Sequence, residues 1–414
     1  MPHSISDFPS RLIRWQRQHG RHGLPWQGAD AYRVWLSEIM LQQTQVATVL
    51  PYYQRFIAAF PTVVALAAAS QEQVLAHWSG LGYYARGRNL HRAAQLISDK
   101  YHGEFPRRYE QIFELPGIGR STAAAICALA WHEHHAILDG NVKRVLARYC
   151  GIEGSPGSKA VEAQLWQQAE ALLPKVKHAV IPAKAGIQSL NGTVLPPSRE
   201  RREKNSPSNS AIATYTQALM DLGATVCTRS KPKCSDCPVQ ADCVACQTDR
   251  VRELPTPRPR KAVPEKRATF LLLLHGNDIL LEKRAPSGIW GGLWCPPQFD
   301  DEAAARAWCE QQGIKSVRGE VSNHERDVPK GKGLNNRSGS IPHHERGKRS
   351  CEALPAFTHA FTHFKLHITP LLLRVTHKPL QAQQPGSVWL DVEEALQAAI
   401  PAPVRKMLEK LIRN

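Results

Sequence analysis

The first part of the chain carries apolar residues at helical spacing. Trp35, Ile39 and Met40 lie on one face of a helix, and a second series of the same kind runs from 142 to 149. A period of about 3.6 residues indicates amphipathic helices, and it returns with short breaks through residues 8–173. We therefore predict that this part is all-α.

The pattern changes near Ala268. An apolar run at 269–274, a turn signal at Gly276-Asn277 and a second apolar run at 279–281 indicate paired strands. The chain as a whole is predicted to be an α+β protein of two domains. Further elements of the second part are predicted as a strand at 364–375 and helices at 303–312 and 404–412.

A proline-rich basic segment at 254–261 separates the two parts and reads as a semi-rigid linker. We predict a helical domain at 1–253, a linker at 254–263 and a mixed domain at 264–414. The stretches 175–210 and 318–350 show no sustained period and are rich in polar and charged residues, so we expect them to be insertions.

The composition favours a polyanionic partner. The chain has 53 Lys and Arg against 36 Asp and Glu, a formal charge of +17, which favours nucleic acid first and an anionic membrane surface second. No apolar run reaches the ~18 to 20 residues that a membrane span needs. The start of the chain lacks a secretory signal, so we expect a reducing cytoplasm, where ten cysteines serve as ligands or buried thiols.

Four cysteines are the clearest candidates for metal ligands in the sequence. Cys227, Cys234, Cys237 and Cys243 follow one another with six, two and five residues between them. Thiolates this close together enclose either an iron–sulfur cluster or zinc. Compact zinc sites usually have two Cys-x2-Cys pairs, and a second pair exists only if Cys243 is joined to Cys246. Zinc is therefore the weaker alternative, and it stays open.

A glycine-containing turn lies between two predicted helices. In Leu115-Pro116-Gly117-Ile118-Gly119, the two glycines let the backbone approach a ligand, and the N–H groups at the start of the next helix can bind a phosphate oxygen. This arrangement is typical of a helix-hairpin-helix motif. An ordinary turn between helices fits the pentapeptide equally well.

Two carboxylates are candidates for acid and base chemistry. Glu38 has Trp35, Leu41 and Gln42 within one helical turn, and such an apolar setting raises a carboxyl pKa. Asp139 follows an apolar run at what looks like a helix start, where nearby N–H groups hold a carboxylate ionised. The two environments would push the pKa values apart, as acid and base roles require. Each residue also has a purely structural explanation. Glu38 could be a solvated residue on a helix surface, and Asp139 could be an N-cap without a catalytic role.

Taken together, the cysteine spacing, the hairpin pentapeptide and the segments 38–45 and 138–144 resemble the MutY-type adenine DNA glycosylases of the endonuclease III superfamily. The resemblance implies an all-α helix-hairpin-helix domain with a [4Fe-4S] loop, whose exposed basic side chains face DNA. It implies excision of adenine paired with 8-oxoguanine or guanine in duplex DNA, by a protein that we expect to be a monomer. It covers roughly residues 8–173, 211–317 and 352–412.

The resemblance also implies roles for single residues. Glu38 would protonate the departing adenine at N7, and Asp139 would stabilise the oxocarbenium-like sugar or bond to it transiently. Asn141 would position that region. Relatives that cleave the strand carry a lysine where this chain has Ser121. Because a hydroxyl cannot form an imine, we expect a monofunctional enzyme.

Further contacts with DNA are carried over from the family. Tyr83 would wedge into the duplex, and Gln42 would fill the space vacated by the extruded base. Trp26 and Gln217 resemble residues of the adenine pocket, although Trp26 fits a core position equally well. Gly117, Gly119 and Ser121 belong to the phosphate-gripping hairpin.

The C-terminal part resembles a Nudix-like domain, with an α/β arrangement. The stretch 306–314 keeps the outline of a Nudix helix, but Ala307 and Gln311 replace two expected acids, so magnesium-dependent pyrophosphate hydrolysis is not expected. In the family this domain reads 8-oxoguanine with a Phe-Ser-His loop. The matching residues here are Thr362 and His363, and the neighbouring 357–359 triplet leaves the register open.

Two other functions compete with adenine excision. One is a DNA-binding protein with intact folds and little catalysis, in which the predicted insertion at 175–210 impairs the pocket. The other is a lyase acting on damaged pyrimidines, which Ser121 and the second domain disfavour. An assay on defined duplexes separates all three.

Overall fold

A computed structural model describes residues 7–175, 207–257, 262–314, 351–379 and 385–413. Most of the two predicted insertions and residues 258–261 of the linker lie outside these ranges. The chain divides into two compact units, Met1–Ala69 with Ala85–Arg260 and Ser70–Tyr84 with Lys261–Asn414.

The first unit is built from helices, as the apolar period predicts. α11 begins at Pro207, four residues inside the stretch for which we predicted no regular structure. The helix numbered α5 belongs to the second unit and is given with it below. The helices of the first unit are α1 (Phe8–His19), α2 (Ala31–Leu41), α3 (Val46–Ala59), α4 (Val63–Ala68), α6 (Ala85–Tyr101), α7 (Tyr109–Phe113), α8 (Arg120–Trp131), α9 (Gly140–Tyr149), α10 (Lys159–Ala171), α11 (Pro207–Asp221) and α12 (Val244–Gln247).

The core of the first unit gathers apolar faces from α1, α8, α9, α10 and α11. Leu12, Leu146, Leu165 and Ala218 are wholly buried there. Ala124, Ala125 and Ala128 of α8 belong to the same core, and their small side chains let neighbouring helices approach closely. The core therefore fixes the first turns of α8 and α9, where the hairpin and Asp139 lie.

The described residues of the second unit form a mixed eight-stranded sheet. Its central strands β1 and β7 run parallel, and the other pairs are antiparallel. The path of the sheet is β3-β2-β1-β7-β5, with β4 on β1, β6 on β7 and β8 on β2. The strands are β1 (Glu265–His275), β2 (Asp278–Lys283), β3 (Trp294–Cys295), β4 (Gln298–Phe299), β5 (Glu352–Ala353), β6 (Phe357–Ala360), β7 (Lys365–Arg374) and β8 (Ser387–Asp391).

The helices of this unit are α5 (Gln71–Trp78), α13 (Glu302–Gln311), α14 (Val392–Gln397) and α15 (Ala402–Arg413). Leu271, Leu273 and Leu371 of the central strands pack with Cys309 of α13. Strand β1 is buried along seven consecutive residues, because both faces of a central strand are covered. The predicted mixed α/β character of this part is confirmed. Among the described helices, none is long and apolar enough to cross a membrane.

Candidate active site

Glu38 lies on α2, a helix most of whose residues are buried. Asp30 caps its start by accepting a hydrogen bond from the Arg33 N–H at 3.0 Å. Trp35 and Ile39 belong to the face of α2 that is buried, whereas Glu38 keeps partial access to solvent. The helix thus holds a carboxyl group at the edge of an apolar core.

Asp139 lies at the N-cap of α9, as the sequence predicts. Its Oδ1 accepts a hydrogen bond of 2.7 Å from the Val142 N–H. The preceding residue is fixed as well, because the Ser121 hydroxyl accepts a hydrogen bond of 2.9 Å from the Leu138 N–H. Ser121 therefore joins the first turn of α8 to the residue before Asp139.

Burial raises the pKa of both carboxyl groups. For Glu38, loss of hydration and then the nearby charge of Asp139 raise the pKa to about 8. The two residues are 101 positions apart in sequence, and this interaction shows that the fold brings them together. For Asp139, burial raises the pKa, and hydrogen bonds from Val142 and Asn141 offset it only in part. The N–H groups at the helix start favour the ionised form of Asp139, as we predicted, but burial has the larger effect on its pKa.

Asn141 is held by contacts from two directions. Its Nδ2 lies 3.5 Å from Asp139 Oδ2, and its Oδ1 accepts a 2.9 Å hydrogen bond from Arg144. Arg144 also donates to the carbonyls of Gly223 at 2.6 Å and Cys227 at 2.8 Å. A Cβ at Gly223 would lie 2.6 Å from Asn141 Cβ, so only glycine allows this approach. No local pattern in the sequence marks Arg144 as the residue that positions Asn141.

Gln217 belongs to a buried polar network around Asp221. The Gln217 amide donates a 2.8 Å hydrogen bond to Asp221 Oδ1, and Arg21 donates to the same carboxylate from its backbone N–H and its guanidinium. Asp221 is fully buried. Arg21 lies a few residues before Trp26, so one carboxylate fixes both Gln217 and this loop. Trp26 itself is 5% exposed and packs edge-on against Tyr53 with ring centroids 5.1 Å apart.

Gln42 lies at the end of α2, and a buried arginine fixes its backbone. Arg86 donates from one guanidinium nitrogen to the carbonyls of Ile39, Met40 and Gln42 at 2.9, 2.8 and 2.5 Å. These carbonyls have no partner within α2 itself, because a helix leaves its last four unpaired. Sequence gives no sign of this contact, since α6 supplies the arginine 44 residues later.

The hairpin between α7 and α8 has the geometry that its glycines predict. Gly117 has a φ of +81°, which side chains other than glycine rarely adopt, and its Cα faces Asn89 closely. Gly119 forms the N-cap of α8, and a Cβ there would meet open space. The first N–H groups of α8 thus follow an uncrowded turn, which suits a phosphate.

The four predicted cysteine ligands line a single cavity in the first unit, together with Cys246. Arg148 lies at its wall, where its guanidinium contacts Cys227 Sγ at 3.3 Å and donates to the Thr228 carbonyl at 2.8 Å. Cys246 contacts Cys234, a contact that sequence did not reveal. Arg229, Lys231 and Lys233 of this loop are exposed, as expected for a loop facing a polyanion.

The spacing of the thiols tests which metal group the loop fits. A tetrahedral zinc ion holds its sulfurs about 3.8 Å apart, since each Zn–S bond is about 2.3 Å. Within the described residues, no three of the loop sulfurs lie within 4.8 Å of one another. The donor set is all thiol and surrounds a shared cavity. The residues therefore fit a larger cluster better than a single zinc ion.

Tyr83 and the 361–364 segment meet in the second unit. Tyr83 follows two glycines of positive φ, is 45% exposed and has a φ of +49°. Its hydroxyl lies 2.8 Å from Thr362 Oγ1. Thr362 and His363 are exposed in the turn between β6 and β7, which the Phe361 N–H closes by donating to the Phe364 carbonyl. The alternative triplet 357–359 lies within β6.

The same segment, Ser70–Tyr84, is anchored to the sheet by charged and polar contacts. Glu72 accepts hydrogen bonds from Lys283 Nζ at 2.8 Å and Trp294 Nε1 at 2.5 Å. The Ser79 hydroxyl donates to the Ile400 carbonyl at 2.6 Å. These contacts explain why a segment that comes early in the chain packs with the C-terminal unit.

The helix comparable to a Nudix helix is α13. The carboxylate of Glu302 on this helix accepts a 2.8 Å hydrogen bond from Arg306 Nε. Ala307 and Gln311 contribute no charge, so α13 lacks the cluster of oxygen anions that a magnesium site requires.

These features define a class of protein: a base-excision DNA repair enzyme of the helix-hairpin-helix type joined to a Nudix domain. A family model described as "HhH-GPD superfamily base excision DNA repair protein" matches residues 36–171, and a NUDIX domain model matches residues 268–410. The chain is 32% identical over 409 residues to the adenine DNA glycosylase of Buchnera aphidicola subsp. Acyrthosiphon pisum (strain APS), covering 98% of each protein. It belongs to the adenine DNA glycosylase family.

A mammalian relative is also named adenine DNA glycosylase. The adenine DNA glycosylase of Mus musculus is 32% identical over 464 residues, covering 97% of this chain and 77% of the relative. The solved structure of a thermostable thymine-DNA glycosylase aligns with 24% identity and a TM-score of 0.47, covering 59% of this chain and 97% of that chain. As an adenine DNA glycosylase, the chain hydrolyses an N-glycosidic bond in base-excision repair of DNA.

Proposed function

We propose that the chain removes adenine paired with 8-oxoguanine or guanine from duplex DNA, as a monomer, without cleaving the strand. The interacting carboxyl pair of Glu38 and Asp139 is the observation that carries this proposal. A carboxyl with a pKa of about 8 is protonated at neutral pH and can act as a general acid. Its partner supplies the second group that glycoside hydrolysis needs.

In the proposed reaction, Glu38 donates its proton to N7 of the extruded adenine. The bond between the base and C1′ breaks, and its electron pair leaves with the base. Asp139, as the carboxylate, stabilises the positive charge that develops on the sugar. Water then adds to C1′ and loses a proton to the Glu38 carboxylate, which restores the starting state. Asn141, fixed by Arg144, keeps Asp139 oriented.

The absence of strand cleavage follows from Ser121. Its hydroxyl is engaged with the Leu138 N–H, and an oxygen nucleophile forms no imine with the sugar. Borohydride treatment of the enzyme with its substrate should therefore trap little covalent adduct. Trapping as strong as that of a lyase would overturn the monofunctional assignment.

We further propose that the second unit reads the base opposite adenine. Tyr83 is exposed on a strained turn, and Thr362 contacts its hydroxyl, so both side chains are available at one surface of this unit. His363 is exposed in the same turn. Because α13 lacks the acids for magnesium, this unit binds the lesion without hydrolysing a pyrophosphate.

The cysteine loop is proposed to hold a [4Fe-4S] cluster. Cys227, Cys234, Cys237 and Cys243 would be the ligands, and such a cluster would order the exposed basic loop toward the DNA backbone. The cysteines are not among the residues that we place at the adenine or the sugar, so we assign the cluster no part in the reaction.

Single-turnover rates on duplexes with adenine opposite 8-oxoguanine, adenine opposite guanine, and oxidised pyrimidines test the proposal. We expect adenine release on the first two, fastest opposite 8-oxoguanine, and none of the pyrimidines. Tight duplex binding with no base release would instead favour a binding protein that has lost catalysis.

A further inference from the structure

Three side chains with metal-binding atoms meet at the end of α8, and none of them belongs to the carboxyl pair or the cysteine loop. Cys127 lies in the second half of α8, and Glu133 and His135 lie in the segment that follows. The thiol sulfur, a carboxylate oxygen and a ring nitrogen all lie within 4.8 Å of one another. His135 Nε2 is 3.5 Å from Glu133 Oε2, a separation typical of two ligands on one ion.

The backbone holds this arrangement in place. His132 ends α8 in the left-handed conformation, with a φ of +61°, which turns the chain back over the helix. The Glu133 N–H then donates to the Cys127 carbonyl at 3.1 Å, and the His135 N–H donates to the Glu133 carbonyl at 3.1 Å. The His135 ring is stacked on Tyr109 with centroids 4.7 Å apart. An ion would therefore meet ligands that are already positioned.

The exposure of the three residues suits an ion that enters from solvent. Cys127 is fully buried, whereas the side chains of Glu133 and His135 are 34% and 33% exposed. The sulfur thus forms the inner end of the site and the other two its rim. A water molecule can take a fourth position on the open side.

The donor set selects the kind of ion. Thiolate, imidazole and carboxylate are the three ligand types of zinc sites in proteins. Magnesium and calcium prefer oxygen ligands alone, and a buried thiol excludes them. Without a metal, the same atoms form a hydrogen-bonded group in which the thiol contacts Glu133.

We propose that Cys127, Glu133 and His135 bind one Zn²⁺ ion with a water molecule as the fourth ligand. Binding replaces the thiol proton with a Zn–S bond and releases that proton to solvent. The ion would join α8 to the 132–138 segment, whose last residue precedes Asp139. Its effect is to stabilise this connection, and it takes no part in base removal.

Zinc content and thermal stability of the full-length protein test this site. After dialysis against a buffer of fixed free Zn²⁺, the metal content of the wild type, Glu133→Gln and His135→Gln is measured by mass spectrometry. We expect one zinc fewer per chain in each variant than in the wild type. Glu133→Gln is isosteric, and both substitutions fall on partly exposed side chains, so the variants should fold.

His134→Gln is the matched control. His134 is adjacent in sequence, but its Nε2 contacts the Pro174 carbonyl instead of the three-residue site. This variant should bind as much zinc as the wild type. Zinc taken up by the cysteine loop would be the same in all four proteins and so would cancel in the comparison.

Thermal unfolding gives a readout that does not depend on activity. Added Zn²⁺ should raise the Tm of the wild type and His134→Gln by several degrees, since a ligand that binds only the folded state stabilises it. The same addition should leave Glu133→Gln and His135→Gln unshifted. Equal zinc content and equal Tm shifts in all four proteins would overturn the proposal.

Discussion

Glu38 and Asp139 carry the same functional group in different surroundings. Glu38 lies beside buried apolar residues of α2, and desolvation dominates its titration. Asp139 is also desolvated, but it accepts hydrogen bonds at the start of α9 that favour its ionised form. Because opposing contributions act only on Asp139, the proton of the pair belongs on Glu38.

The pH dependence of adenine release should report the titration of Glu38. A general acid acts in its protonated form, and the pKa of Glu38 is raised to about 8. The single-turnover rate should therefore fall about tenfold per pH unit above that value. Duplex binding measured over the same range separates loss of chemistry from loss of affinity. A rate that stays flat from pH 7 to 10 would remove Glu38 as the acid.

Glu38→Gln should abolish adenine release and stabilise the fold at high pH. Because the pKa of Glu38 is higher in the folded than in the unfolded state, its contribution to stability is complete below about 4.5 and is lost as the pH rises through about 8. A neutral amide avoids this loss. The Tm of the variant should exceed that of the wild type at pH 9 and match it at pH 4.

Asp139→Asn is the variant to compare with Glu38→Gln in adenine release and in duplex binding. It should also abolish adenine release and leave duplex binding intact, since the charge is needed only in the transition state. Near wild-type single-turnover rates in either variant would exclude that residue from the mechanism.

At the scale of elements, α2 depends on a side chain from α6. Arg86 is the partner of three carbonyls at the end of α2, the last of which belongs to Gln42. Without it, these groups would stay buried and unpaired. The end of α2, and with it the backbone of Gln42, is therefore fixed by tertiary structure.

Arg86→Ala should lower the free energy of unfolding by about 3 kcal/mol, the scale for removing a buried charged donor with several acceptors. Denaturant unfolding measures this loss. Arg92→Ala, on the exposed face of the same helix, removes the same charge and should change stability by less than about 0.5 kcal/mol. Equal effects of the two substitutions would contradict the role of Arg86.

Within the cysteine loop, Cys237 and Cys246 should respond differently to substitution. Cys237→Ser should lose iron, the yellow-brown colour and DNA affinity, because this thiol is packed against the core of the first unit and has no substitute. Cys246→Ser should keep all three, since the other four cysteines suffice as ligands. Colourless wild-type protein holding one zinc in this loop would refute the cluster.

At the scale of the whole molecule, the second unit contains an early segment of the chain. Ser70–Tyr84 packs with the C-terminal sheet through Glu72, Ser79 and Tyr83. Removing residues 264–414 therefore removes the partners of Tyr83 along with the proposed lesion-reading turn. The carboxyls that we propose as catalytic, the hairpin and the cysteine loop all lie in the first unit.

Truncation after residue 263 should weaken the preference for 8-oxoguanine over guanine opposite adenine, while adenine excision persists. Thr362→Ala tests the same idea without deleting the domain, and it should reduce the ratio of the two single-turnover rates. Thr358→Ala is the matched control, because Thr358 lies in β6 and contacts His367 instead. Unchanged discrimination in Thr362→Ala would mean that this turn does not read the lesion.

The local pattern of the sequence determined several of the elements, although not all of them and not every boundary. The helical period predicted α2 and α9, the Gly117 turn predicted the hairpin, and the position of Asp139 predicted its N-cap. These features depend on residues within a few positions of one another, so a single stretch of chain contains the information. The cysteine spacing likewise confined its four thiols to one loop.

Only the tertiary structure decided which distant residues share a site. The interaction of Glu38 with Asp139, the hold of Arg86 on α2 and the packing of Ser70–Tyr84 with the C-terminal sheet all join residues far apart in the chain. Burial also raised the pKa of Asp139, which the N–H groups at the helix start were expected to lower. Desolvation depends on everything that surrounds a group, and no local period records it.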